Sequence, residues 1–235
     1  MTICWIRKCG CTFLKNVFFY LNTGHVYPNA LGIHADEEST WISTFGPHET
    51  SPRDSTKCFV VVRDPVSRLV SFYWDKVYSQ SPFAMKTTRQ RLARLARKRR
   101  ADFSDFDRSE TLSLDGHIRN ILATLDGIQE ILSNPDKEHP DLHFALQCFA
   151  MQRSNAVEFT RLRLEDFRGS APIALARVSP GFSDAVRLVP KAHESVKKFG
   201  NQDLLTDEVL ERIREIYQDD IVMYQNVIAY EPSSP

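Results

Sequence analysis

The chain is predicted to be an α/β protein: a three-layer α/β/α arrangement with helices on both faces of a mostly parallel sheet. Three observations predict this. Twice early in the chain a short β-prone apolar run ("TICWI", then "KCFVVV") leads through a loop into a segment with apolar residues at helical spacing. The run "KCFVVV" lacks polar alternation and so reads as a strand buried on both faces, as strands of parallel sheets are. The 235 residues, 42% of them hydrophobic, suffice for one sizeable core. Residues 1–230 are therefore expected to form one domain, with 231–235, "EPSSP", reading as a frayed tail.

The elements follow in order. After "TICWI", Phe13, Val17, Tyr20 and Leu21 mark a helix from Thr12 to Leu21. Residues 22–57, rich in Gly, Pro, His, Ser and Thr, read as a long irregular connection of the kind that often carries function. "KCFVVV" is ended by Asp64 and Pro65, and "VSRLVSFYWDKVY" is the second helix. In Lys86 to Arg100 the residues Leu92, Leu95 and Ala96 share one face and Arg91, Arg94 and Lys98 surround it, which makes a basic amphipathic helix. It reads first as a solvated helix balancing acidic segments such as "DFSDFDRSE", and alternatively as a surface for an anionic glycan. Leu114 to Leu132 is amphipathic, "AVEFTRL" and "IALARV" are strand-like, and Asp207 to Tyr224 is a long helix. Thr206 is its expected N-cap, with Asp207 and Glu208 matching the dipole and Val209, Ile213, Ile216 and Tyr217 forming the buried stripe.

Composition excludes several classes. Thirty basic and thirty acidic residues leave no overall field to draw the chain to nucleic acid or an anionic membrane. No apolar stretch approaches the roughly 20 residues of a membrane span, and no signal peptide precedes Ile6. Five cysteines (Cys4, Cys9, Cys11, Cys58 and Cys148) lack the spacing of a disulfide framework and suit a reducing, cytoplasmic compartment. Cys4, Cys9 and Cys11 form no CxxC pair, so they read as ordinary thiols and no metal site is expected.

The chemistry is expected in the two loops that leave the strands, where ligands of open α/β sheets bind. In "RKCGCT" a helix starting near Thr12 offers backbone N–H groups, Gly10 permits close approach and Thr12 adds a hydroxyl, so the loop suits an anion such as phosphate. Lys8, at the strand exit, adds a point charge. The loop is not GxxxxGK[ST], since the Lys precedes the Gly. From the second strand Arg63 projects a planar fork, and Ser71 lies about two turns into the following helix. Arg68 reads equally as a phosphate ligand or as a partner of Asp64, and stays outside the core site.

On these motifs the chain resembles the Golgi-type carbohydrate sulfotransferases and their heparan 2-O-sulfotransferase relatives. "RKCGCT" is similar to the family's P-K-x-x-[ST]-T loop, which grips the 5'-phosphosulfate of 3'-phosphoadenosine 5'-phosphosulfate (PAPS). "RDPVSRLVSFY", Arg63 to Tyr73, matches R-[DE]-P-x-x-R-[LF]-x-S-x-[YF], which grips the donor's 3'-phosphate. "HFALQCFAMQRSNAVEFTRLRLEDF" resembles the H-W-x-P-Q segment with its following strand, and "PKAHESVKKF" the late loop near the nucleoside. The resemblance implies a P-loop-like fold and sulfuryl transfer from PAPS, without a metal, to a hydroxyl of a carbohydrate. It implies donor contacts at Arg7, Lys8, Cys9, Gly10, Cys11, Thr12, Arg63 and Ser71, with Lys8 catalytic. His34 and His143 are the candidate bases, each with a surface or capping role as its competing reading. Two departures stand out: Arg7 replaces Pro, and Cys11 stands where Ser is common, so that contact falls to its backbone N–H. Stem and anchor segments of the Golgi enzymes are not seen, as expected of a soluble bacterial-style member or a trimmed chain. Two other readings remain beside this one: a kinase-like phosphate-transfer enzyme, and a non-catalytic nucleotide-binding or adaptor domain.

Overall fold

The computed structural model describes residues 2–4, 6–29, 33, 58–79, 86–134, 141, 143–152, 159–168, 181–190 and 199–227. His34, the strand expected at "IALARV", most of the 22–57 connection, most of "PKAHESVKKF" and the 231–235 tail lie outside these residues.

In chain order the elements are β1 (Thr2–Cys4), α1 (Cys11–Thr23), β2 (Cys58–Val62) and α2 (Pro65–Phe72), which continues as a π-helical turn, Tyr73–Tyr78. Then come α3 (Lys86–Arg99), α4 (Leu114–Ser133), α5 (Gln147–Gln152), β3 (Phe159–Arg163), α6 (Phe182–Leu188) and α7 (Asp207–Gln225). Short 3-10 turns lie at Leu164–Arg168 and Gln202–Leu204. The chain is α/β but mostly helical. Among the described residues, no helix is long and apolar enough to cross a membrane.

The fold divides into two compact units. The first comprises Met1–Arg63, Gln147–Glu194 and Met223–Pro235. Its sheet has the order β1-β2-β3, and both pairings are parallel, with Thr2 opposite Cys58, Cys58 opposite Phe159 and Val62 opposite Arg163. Strand β2 is central among the described strands, and its valines alternate between two cores. Val61 packs with Leu14 and Val17 of α1 and Phe182 and Ala185 of α6. Val60 and Val62 pack with Ile6, Cys9, Met151, Met223 and Val227. An unbroken β-branched run serves both faces because successive side chains point opposite ways. The α1 stripe differs from expectation: its buried residues are Leu14, Lys15, Asn16 and Val17, while Phe13, Tyr20 and Leu21 are half-buried. Two polar side chains inside the stripe shift its centre in a way apolar spacing does not register; Asn16 Nδ2 donates to the Thr12 carbonyl at 2.8 Å.

The second unit, Asp64–Leu146 with Ser195–Val222, contains only helices and turns among its described residues. Its core gathers Leu69, Val70, Phe72, Tyr73 and Trp74 with Leu92, Leu95 and Ala96 of α3, Ile121, Leu125 and Ile128 of α4, and Val209, Ile213 and Tyr217 of α7. The expected apolar faces of α3 and α7 are the observed ones, with Ile216 half-buried at the margin. Thr206 caps α7, its hydroxyl accepting from the Val209 N–H at 3.3 Å. The C-terminal charges of the basic helix find acid partners on α4. Lys98 and Arg99 reach Glu130 at 3.4 and 3.5 Å, and Arg100 bonds Asp126. Helix packing decides this, because α3 lies along α4 through Leu92, whose carbonyl would be 2.8 Å from a Cβ on Gly127.

Candidate functional site

The site is built where β1 ends. The chain turns between Ile6 and Cys9, whose N–H donates to the Ile6 carbonyl at 3.2 Å. Lys8 is the third residue of that turn and has φ 67°, the left-handed value that a type II turn requires there and that Gly usually supplies. Arg7, exposed, occupies the second position, which in this turn type favours Pro. Holding a Lys in this conformation costs about 1 kcal/mol or more. Strain of that kind persists where surrounding structure imposes it, and here it fixes the backbone that carries the cation.

Gly10 follows, also left-handed at φ 75°, and is the N-cap of α1. The first intrahelical bond runs from the Leu14 N–H to the Gly10 carbonyl at 3.0 Å, so the N–H groups of Cys11, Thr12 and Phe13 precede the ladder. Gly10 supplies no side-chain cap, and no acidic residue stands in the first turn. The end of α7 is opposite in character, with its Thr206 cap and Asp207 and Glu208 in the first turn. An N-terminus without a side-chain cap or an acidic first turn is of the kind that suits an anion. Cys11 and Thr12 are half-buried in that first turn, and Cys11 is a free thiol.

Arg63 leaves β2 beside this loop, and its Nη1 donates to the Lys8 carbonyl at 3.2 Å. Lys8, Gly10, Cys11, Thr12 and Arg63 thus belong to one unit. Cys9 is different in kind: it is 1% exposed, and its Sγ donates to Gln147 Oε1 at 3.1 Å. It supports the loop from behind and does not present its side chain to a ligand. Gln147 was not a candidate residue, although it closes the "HFALQ" segment whose resemblance was noted; the Gln of that segment was the available sign. It also bonds both backbone groups of Arg63, at 3.0 Å to the N–H and 2.8 Å to the carbonyl.

The other candidates lie in the second unit or outside the described residues. Ser71 is half-buried on α2, one turn beyond Ser67 on the same side. Asp64 caps that helix, accepting from the Ser67 N–H at 2.8 Å. Arg68 is 3% exposed and donates to the Ala145 carbonyl at 2.8 Å, so it anchors the segment after His143. Tyr73, last residue of the Arg63 motif, is fully buried and shares a 2.7 Å hydrogen bond with His117 Nδ1; burial pushes its hydroxyl well above the usual tyrosine range. His143, 8% exposed, rests on Asp141, whose Oδ1 lies 2.6 Å from the ring Nδ1 and 2.9 Å from the backbone nitrogen. Burial pushes the Asp141 carboxyl up, but hydrogen bonds and charge from His143 and the Thr88 hydroxyl at 2.7 Å outweigh it and hold the group well below the usual carboxylate range. A carboxylate so placed orients the imidazole. Among the described residues, no group of three or more His, Cys, Asp or Glu is placed to hold a metal ion.

A family model described as "Sulfotransferase family" matches residues 1–226. The chain belongs to the sulfotransferase family. It is a transferase whose family reaction is sulfuryl transfer, and the match takes in both strand-exit motifs. No curated protein and no solved structure matches the chain.

Proposed function

We propose that this sulfotransferase takes its sulfuryl group from PAPS and delivers it to a carbohydrate hydroxyl, on a three-layer, P-loop-like α/β fold. The observation that carries the donor reading is the strained Lys8 turn feeding the N-terminus of α1, with the Arg63 guanidinium on the Lys8 carbonyl. It sets a point charge, a helix end and a planar fork around one loop, which is what a phosphosulfate ester with a second phosphate requires.

The reaction is an in-line displacement at sulfur. The acceptor oxygen forms the new S–O bond as the bond to the bridging oxygen of the 5'-phosphosulfate breaks, and negative charge gathers on that oxygen. Lys8 and the N–H groups that open α1 oppose the charge where it develops. The acceptor's proton passes to a base, His34 or His143, and the Asp141 contact equips the second for that task. Arg63 and Ser71 hold the 3'-phosphate. The acceptor class follows the resemblance to the carbohydrate enzymes, with the basic face of α3 suited to an anionic glycan. The free thiols at Cys9, Cys11 and Cys148 suit a reducing, cytoplasmic setting.

Calorimetric titration tests the donor. Adenosine 3',5'-bisphosphate is expected to bind far more tightly than adenosine 5'-monophosphate, and Arg63→Ala to lose roughly ten- to hundredfold in affinity for the bisphosphate with little loss for the monophosphate. Equal wild-type affinities would remove PAPS as donor. Turnover with labelled donor over a panel of glycans identifies the acceptor, and the same assay on His34→Ala and His143→Ala is expected to find one variant inactive with donor binding intact. Full activity in both would place the base elsewhere.

A further inference from the structure

Arg63 follows the last residue of β2, and both of its backbone polar groups are matched. Gln147, the first residue of α5 and 0% exposed, supplies the match. Its Nε2 donates to the Arg63 carbonyl at 2.8 Å and its Oε1 accepts from the Arg63 N–H at 3.0 Å. The side-chain amide thus stands in for a neighbouring strand's peptide and carries the ladder one residue past Val62. The same Oε1 accepts from the Cys9 thiol at 3.1 Å, and Arg63 Nη1 reaches the Lys8 carbonyl at 3.2 Å. Four hydrogen bonds within the first unit therefore join the exit of β2, the loop after β1 and the start of α5.

We infer that Gln147 is a positioning residue for donor recognition: its amide sets the direction in which the Arg63 guanidinium leaves β2. The inference rests on the PAPS reading above. Side-chain chemistry narrows the choice of residue. Glu accepts from the N–H but, ionised, has nothing to donate to the carbonyl; Met fills the space and does neither; Asn is one methylene short. A misdirected guanidinium loses a planar, two-point contact with phosphate more readily than a point charge does, so the loss falls on the phosphate Arg63 holds.

The test measures adenosine 3',5'-bisphosphate and adenosine 5'-monophosphate affinity by calorimetry, with thermal melts alongside, for Gln147→Met, Gln147→Glu, Arg63→Ala and the double variant Gln147→Met/Arg63→Ala. Gln147→Met is expected to weaken the bisphosphate about tenfold and the monophosphate little, and the double variant to bind no more weakly than Arg63→Ala alone, because both act through one guanidinium. In Gln147→Glu the bisphosphate affinity is expected to recover as pH falls and the buried carboxyl takes up the proton that restores its donor, a trend absent from Gln147→Met measured in parallel. The pH trend of Gln147→Glu is also read against wild type, so the test holds even if Gln147→Met does not fold. Additive losses in the double variant, or a Gln147→Glu profile that parallels wild type, would overturn the positioning role and leave the donor reading standing. A wild type that does not bind the bisphosphate would overturn the donor reading and this inference with it.

Discussion

Lys8 combines a backbone cost with a chemical role, and the two separate on substitution. At φ 67° an Ala is as strained as a Lys, whereas a Gly is not. Lys8→Ala is therefore expected to melt as wild type does and to lose orders of magnitude in turnover, since the ammonium acts on charge that exists mainly in the transition state. Lys8→Gly is expected to lose the same turnover and to gain up to about 1 kcal/mol of stability, measured by denaturant titration. Unchanged turnover in either variant would remove Lys8 from the chemistry. At Asp141 the folded pKa is depressed, so the stability it contributes is present above the ordinary Asp range of about 4 and is lost as pH falls below that value. Asp141→Asn is expected to be less stable than wild type at neutral pH and to lose less on acidification. Melts at pH steps from about 7 down to 2 check it, and parallel acid profiles would refute the assignment.

The α3 and α4 helices approach closely at Gly127, where an added Cβ would meet the Leu92 carbonyl at 2.8 Å and the Leu92 Cα at 3.1 Å. Both neighbours are backbone and cannot rotate away. Gly127→Ala is expected to cost about 1–3 kcal/mol, against a gain of about 1 kcal/mol in helix propensity, and so to be destabilising on balance. The ion pairs of the same packing differ sharply in weight. Asp126 is 5% exposed and bonds Arg100 and, at 2.7 Å, Arg212 of α7. Asp126→Asn is expected to cost about 2 kcal/mol, below the cost of breaking a fully buried pair because both Arg are partly in solvent. Lys98, exposed and 3.4 Å from Glu130, is expected to change stability by less than about 0.5 kcal/mol when made Ala. Denaturant titration of the three variants ranks them; a Lys98→Ala loss equal to that of Asp126→Asn would contradict the ranking.

For the molecule as a whole, thirty positive and thirty negative side chains put the isoelectric point near 7.0, so its solubility is expected to pass through a minimum close to neutral pH and to rise with modest salt; light scattering across pH checks this. The elements that repeat a period were legible from the residues. The β-branched run of β2, the stripes of α3 and α7, the Thr206 cap and the two strand-exit motifs all follow from local spacing, because pleat and helix periods impose themselves within a few residues. The division into two units was not legible, since each is assembled from segments distant in sequence. Nor was the anchoring of Arg68 on the Ala145 carbonyl, or the placing of the α3 charges against α4. By itself the sequence determined the family, the loop that carries Lys8 and the strand that delivers Arg63. Only the tertiary structure decided that Lys8 is held left-handed and that Gln147, 84 residues along the chain, completes the backbone of Arg63. Periodicity records which face a residue turns to the core, whereas a hydrogen bond between distant segments depends on how whole elements pack, and no local pattern records that.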